Sequence, residues 1–514
     1  MNRRNFFTSF LKEFSQREVL AAGLGEYSAP LDRTKAYHLL RRLSFAPTLA
    51  QTEQLIGKTA REAIEMLLGD GTTPLPGAPG AWVDTATENP EGADIYTSNE
   101  IKAKWDSNFK NLQSWWAELM RSETSVLKEK LTLFWSGHLT SEFNADGAYT
   151  IPQLLYKQNQ LLRASSLGNF KKLIVDITLD GAMLSYLGGD LNSKGKPNEN
   201  YAREVMELFT TGIGWYTEGD IQQAARVLTG WRASKFSDEP SPNGMYNTYF
   251  LPAAHDTDAK QFMGTTIAAR DVDTNTEFLV KRDEVQKLID ILFKERAAQI
   301  AKFISRKFYT FFVYSNPSKS DETVINEVAE VFKSANFEIR PLLVKLLTSE
   351  HFFDEANVGV QIKTPAELIV GFARQLGVAV PDAAGALKSI EQELMDPPNV
   401  AGWTGHHSWI STKTYPLRTQ LLRTMLASAT DAQLVALVKQ LPEYNDADKC
   451  TRALEEFFLP KSVSAARHTA YKATLLQNAP EYEWNSIISD GNSAAQRIRA
   501  LIGAFLKAPD FHLC

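Results

Sequence analysis

Apolar residues recur along most of this chain at spacings of three and four, the period of a helix with one buried side. The pattern predicts helices over 36–43 and 49–68, the second with Ala60, Ala63, Ile64, Leu67 and Leu68 along one side. It resumes at about 100–136, 150–165, 168–187, 198–210 and 219–230, and again from about 276 to 377, as over 278–293 and 298–314. Three stretches lose the period. They are 69–99, with Pro74, Pro76 and Pro79; 232–275, with Pro240, Pro242, Gly244 and Pro252; and 396–415. Proline and glycine end helices there, and a few short strands fit 232–275. No compositional linker isolates either side of these stretches, so they read as insertions in one body. The expected fold is mainly α, with an N-terminal amphipathic segment at 1–35 and a single large helical domain at 36–514.

Composition narrows the class. Of 514 residues, 44% are hydrophobic and 23% charged, enough apolar material for a large core and unlike a disordered chain. Lys+Arg 55 against Asp+Glu 61 gives a net charge of -6, which argues against nucleic-acid binding, where phosphates demand a cationic excess. No apolar run approaches the roughly 20 residues of a membrane span. Two cysteines, Cys450 and Cys514, exclude a disulfide scaffold or a Cys-rich zinc module. At the start, Arg3 and Arg4 precede Phe6 and Phe7, as in a twin-arginine export signal. Lys12, Glu13, Arg17 and Glu18 then interrupt the apolar stretch such a signal needs. Residues 1–20 are expected to form an amphipathic helix that stays on the protein.

The densest chemistry lies between 197 and 231. Pro197 and Asn198 open a helix, with Glu199 at the positive end of its dipole. Glu199, Arg203, Glu204 and Glu207 fall on one side of it, and Tyr201, Ala202, Val205, Leu208 and Phe209 on the other. Gly212 and Gly214 end it, and Thr217-Glu218-Gly219-Asp220 resembles a capping box that opens the next helix. Glutamates on one helical face suit a divalent cation or an acid and a base. The same spacing equally describes a solvated face with Glu199–Arg203 and Arg203–Glu207 pairs, worth a few tenths of a kcal/mol each.

The histidines divide by context. His138 follows Leu127, Leu131, Phe134 and Trp135 on one stripe, so it points inward, where a hydrogen-bonded core residue and a ligand are both open readings. His255-Asp256-Thr257-Asp258, with Lys260 nearby, has ligand chemistry, although a turn rich in Asp and Thr needs no metal. His406-His407 follows Gly402-Trp403-Thr404-Gly405 in a loop where adjacent side chains are expected to diverge. His-Glu-x-x-His, phosphate-loop and Gly-x-Ser-x-Gly motifs are absent from the sequence.

Longer blocks carry a resemblance. Residues 198–210, from Asn198-Glu199-Asn200-Tyr201 to Leu208-Phe209-Thr210, are followed by Tyr216-Thr217-Glu218 and Ala225-Arg226-Val227-Leu228-Thr229-Gly230-Trp231. With His38-Leu39-Leu40-Arg41-Arg42, Phe134-Trp135-Ser136-Gly137-His138, Gly168-Asn169-Phe170, His255-Asp256, Lys363-Thr364-Pro365-Ala366-Glu367 and Pro397-Pro398-Asn399-Val400-Ala401-Gly402-Trp403, they resemble the bacterial family called domain of unknown function 1800 nearly end to end. The resemblance implies no activity. It implies export to the periplasm or cell envelope, as is typical of members, and gene neighbours that look like sulfatases. Where the family often shows Phe-Trp-His-x-His-Phe, this chain has Ser136 and keeps only His138. It also lacks a convincing signal peptide.

Two functions are therefore expected alternatives. In the first, a metal-assisted hydrolase acts on a cell-envelope or extracellular polymer. His138, Glu204 and Glu207 are its catalytic residues; Glu199, Asn200, Arg203 and Trp403 bind; and His138, His255 and Asp256 hold a divalent metal ion. In the second, a non-catalytic helical scaffold binds a sulfatase-like partner or a glycan through tryptophans such as Trp115, Trp116 and Trp403. The polar excess around Arg203 favours a buried network, with the planar guanidinium holding two carboxylates.

Overall fold

The computed structural model describes residues 23–514 apart from 70, 72, 123–125, 146 and 271–276. The helix expected over 1–20 lies outside the described residues. Residues 23–31 run extended against the 339–353 region: the Tyr27 amide donates to Thr348 O at 2.9 Å and the Glu350 amide to Gly25 O at 2.7 Å. Asp32 then accepts the Lys35 amide and opens the helix Arg33–Leu43.

The fold is mainly α. The 49–68 pattern divides into Leu49–Leu55 and Ala60–Leu68, because Gly57 takes φ +82 and Thr59 with Glu62 forms a capping box that starts a new helix. The 168–187 pattern divides into Phe170–Thr178 and Gly181–Tyr186, where Asp180 caps the second by accepting the Met183 amide. The 100–136 pattern holds the long helix Ile95–Ser122 and the helix Val126–His138. Three antiparallel two-stranded hairpins occur among the described residues. Two of them, Trp231–Ala233 with Thr248–Phe250 and Lys260–Phe262 with Thr265–Ile267, occupy the stretch where short strands were expected. The third, Asn144–Ala145 with Ala148–Tyr149, was not foreseen.

Buried apolar side chains gather into two large cores. The first takes in Phe170, Met206, Ile221, Phe308 and Leu343, and the second Trp116, Phe372, Leu454 and Ile502. Several helices feed both. Arg33–Leu43 sends Leu39 and Leu40 to the first and Tyr37 to the second; Val126–His138 divides Trp135 from Leu133, and Pro152–Ser165 divides Leu162 from Leu154. A small third cluster, Ile362, Trp409 and Ile410 with Trp403 packed against it, lies in the 396–415 stretch.

Several recurrent motifs hold these layers together. Arg42, 2% exposed, donates to Phe312 O and Cys514 O at 3.0 Å, so two distant chain segments end on one guanidinium. Thr364 and Glu367 form a capping box, and the buried Glu367 also pairs with Lys130, whose Nζ donates to Ser44 O at 3.0 Å. Arg163 grips Glu129 with two bonds of 2.6 and 2.9 Å, both side chains buried, while Trp116 Nε1 donates to Glu129 at 2.9 Å.

Candidate active site

The acidic helix Asn200–Glu207 and the helix Glu218–Val227 pack together, and the capping box at Thr217 and Asp220 forms as its sequence predicts. Arg203 does hold two carboxylates. It meets Glu218 through bonds of 2.9 and 2.8 Å and stands 3.6 Å from Glu199. The network is not buried, however: Arg203 is 36% exposed, Glu218 69%, and Asn200 is exposed. The apolar side of this short helix fills the core, so the charged side has only solvent and the next helix to meet. Glu207 turns aside and accepts the Tyr216 hydroxyl. Glu204 is half-buried, and that burial, then the charge of Glu207, raises its carboxyl.

The metal candidates are not brought together. His138 is buried and its Nε2 lies 2.9 Å from Phe209 O. A carbonyl only accepts, so Nε2 carries the proton and donates. Burial, then Lys307, lowers this imidazole to about 3. His255 has both ring nitrogens engaged, Nδ1 by Thr229 O at 2.8 Å and Nε2 by Glu284 at 2.8 Å. Asp256 accepts two bonds from Arg226, at 2.7 and 3.1 Å. With Lys260 3.4 Å from Glu284, this motif is a buried ion-pair lattice that ties the hairpins to the helix Glu277–Glu295. Among the described residues, no group of three or more His, Cys, Asp or Glu is placed to hold a metal ion.

The gathered chemistry lies instead around residues 391–409. Gly402 takes φ +80, and a Cβ there would stand 2.2 Å from Gly137 O, so only glycine lets this loop lie on the end of the helix Val126–His138. Thr140 Oγ1 donates to Val400 O at 2.6 Å, and Trp403 packs over Gly137. Glu391, Met395 and His406 all take positive φ, of 74°, 60° and 53°. Such strain costs about 1–3 kcal/mol per residue and concentrates at functional sites.

This loop walls a cleft of about 900 Å3 with Glu142, Tyr186, Glu393, Asp396, Trp403 and Trp409 among its lining residues. Asp396 Oδ1 accepts the amides of Phe143 at 2.8 Å and Asn144 at 3.4 Å. Burial, then the charge of Glu393, still pushes its carboxyl up to about 6, with Glu142 adding to the rise. Tyr186 donates its hydroxyl to Glu142. Burial and Glu142 raise that phenol, and Glu204 and Asp396 contribute, which puts three carboxylates within electrostatic reach of one hydroxyl. Trp403 also lines a second cavity, of about 400 Å3, with His138, Arg306, Lys307, His406 and Glu367. Glu207 lines a third, apolar groove that shares Arg306 and Lys307 with the second.

Of the expected site residues, His138, Glu207 and Trp403 therefore line cavities that share residues, and Glu204 does not line the cleft. Glu199, Asn200 and Arg203 form an outer polar face, and His255 and Asp256 are structural partners. Sequence reasoning missed Glu142, Tyr186, Glu393 and Asp396. The available signal was the pair of prolines after Asp396, which opens the irregular 396–415 stretch. His406 and His407 do not diverge either: their rings lie 3.9 Å apart.

Fold and site define a mainly helical protein with an acidic, tryptophan-walled cleft beside Val126–His138, one of the helices that feed both cores. The chain belongs to the family described as protein of unknown function DUF1800, whose model matches residues 38–513. No curated protein and no solved structure matches it. Among the described residues, no single helix is long and apolar enough to cross a membrane.

Proposed function

We propose that this protein is a hydrolase of a glycan-type polymer of the cell envelope or exterior, working through carboxylates. One observation carries the reading: Asp396 and Glu142 face one cleft, with Asp396 raised to about 6 and Glu142 held by the Tyr186 hydroxyl. A pair of carboxyls in unlike environments is what acid and base roles require. Trp403, Trp409 and Tyr186 supply flat apolar faces for sugar rings, and the carboxylates accept from hydroxyls. Protonated Asp396 gives its proton to the leaving oxygen as the glycosidic C–O bond breaks. Glu142 takes a proton from the water whose oxygen bonds to the carbon left behind. Proton exchange with solvent resets both groups.

The test is release of reducing ends from a panel of neutral, amino-sugar and acidic polysaccharides. Wild-type protein is expected to cleave at least one, and Asp396→Asn and Glu142→Gln to fail while retaining the wild-type melting profile. Cleavage by either variant at the wild-type rate would sink the assignment.

A second reading, as a binding partner of an exported sulfatase-like protein, draws on the apolar groove. Ile213 is 77% and Trp215 48% exposed there, two large apolar side chains along one apolar groove. Pull-down with the purified neighbour, lost in Ile213→Asp, is its test.

A further inference from the structure

Across Trp403 from the acidic cleft, the cavity of about 400 Å3 has the opposite character. Helix Ala297–Phe312 contributes Arg306 and Lys307 to it, and the 391–409 loop contributes His406. Among the described residues, Lys307 Nζ has no carboxylate within 4.0 Å and no hydrogen-bond acceptor, and it stands 5.3 Å from the centroid of the Phe303 ring. Both ring nitrogens of His406 are buried and make no hydrogen bond. Arg306 reaches Glu322 outside the lining. The one carboxylate in the lining, Glu367, is already committed to Lys130 and to the Thr364 amide at 2.6 Å.

A half-buried cation with no acid partner and an imidazole with two buried, open nitrogens share one cavity, and an anion would complete both. We infer that this cavity is a subsite for a compact oxyanion, a carboxylate, sulfate ester or phosphate ester, carried by the polymer that enters the neighbouring cleft. Lys307 pairs with the anion and a ring N–H of His406 donates to it. Because carboxylates lie on one side of Trp403 and cations on the other, an anionic unit seats on one side only, and the polymer lies in one direction. The inference rests on the hydrolase reading for the identity of the carrier, but its anion chemistry is tested independently.

Calorimetric titration of the full chain at low ionic strength with sodium sulfate, sodium phosphate, glucuronate and glucose is the experiment. Saturable one-site binding of glucuronate and at least one inorganic anion is expected, with no binding of glucose. Lys307→Met and His406→Phe should each weaken anion binding at least tenfold, and Glu142→Gln should leave it within twofold. Thermal melting of each variant checks folding, and either of the two suffices if the other does not fold. Absence of saturation, or wild-type affinity in both variants, would overturn the subsite. Binding of inorganic anions without glucuronate would overturn a sugar-borne anion. Hydrolysis by wild type with no anion binding would remove the subsite alone, whereas anion binding without hydrolysis of any polymer would remove the hydrolase reading alone.

Discussion

The helix pair from Asn200 to Val227 and the loop from Glu391 to Trp409 differ in an instructive way. The first carries the charged face that stands out in the sequence, and it presents Arg203 and Glu218, with the preceding Glu199, to the surface. The second carries no periodic charged face, yet it supplies Asp396, Trp403 and His406 to two cavities. Regular helices sort their charges outward by period. An irregular loop lying on a helix end has no such rule, and close approach at Gly402 brings its side chains inward. A periodic charged face in sequence is thus a poor guide to where chemistry is buried.

The sharpest way to break this comparison is catalytic. Asp396→Asn is expected to reduce polymer hydrolysis by about 10²–10⁴-fold, the usual worth of a positioned general acid. Arg203→Ala should keep the rate within about twofold. Equal losses in a reducing-end assay would show that the acidic helix, not the loop, holds the reacting groups.

Two arginine forks sharpen it in stability. Arg163 and Arg203 each hold a glutamate through two bonds, but the side-chain exposures are 1% and 36%. Arg163→Ala leaves Glu129 charged and buried and should cost about 3–5 kcal/mol in urea denaturation. Arg203→Ala should cost less than about 1 kcal/mol, since water replaces the lost partner. Similar midpoints for the two variants would contradict the surface placement of the Arg203 network.

Gly402→Ala tests how the loop is seated. A methyl group 2.2 Å from Gly137 O, on a backbone at φ +80, should destabilise the protein by about 2–3 kcal/mol. Gly214→Ala, at φ +92 with nothing within 4 Å, should cost less. Melting temperatures decide between them.

A last test is a pH dependence. Asp396 rises from 3.8 to about 6 on folding, so the folded chain binds its proton more tightly than the unfolded chain does. That stabilisation is full below pH 3.8 and is lost as pH rises through about 6. Asp396→Asn should therefore be more stable than wild type above pH 6, and the difference should vanish towards pH 4. Hydrolysis should fall over the same interval as the acid loses its proton. A pH-independent difference in denaturation midpoint would separate the variant's effect from ionisation.

Much of the fold was legible because it is local. The apolar stripe of Leu127, Leu131, Phe134 and Trp135 put His138 inside, and it is 6% exposed. The Thr217 capping box formed where its four residues stood. The 49–68 pattern was continuous in period but broken in space, because Gly57 and the Thr59 box act on the backbone and leave the apolar spacing intact. The metal set failed for a different reason. His255 and Asp256 have ligand chemistry, but Glu284 and Arg226, distant in sequence, had already claimed it.

By itself, then, the sequence determined the helical class, some helix starts such as the Thr217 capping box, the inward face of a few helices such as Val126–His138, and the family. These depend on the period of apolar residues and on hydrogen bonds spanning three or four positions. Only the tertiary structure decided which polar residues meet. Phe143 and Asp396 are 253 positions apart when the amide of one binds the carboxylate of the other. Burial of that carboxyl, the hold of Tyr186 on Glu142 and the unpaired state of Lys307 all depend on solvent exclusion. Solvent exclusion belongs to the packed whole, and no spacing along the chain encodes it.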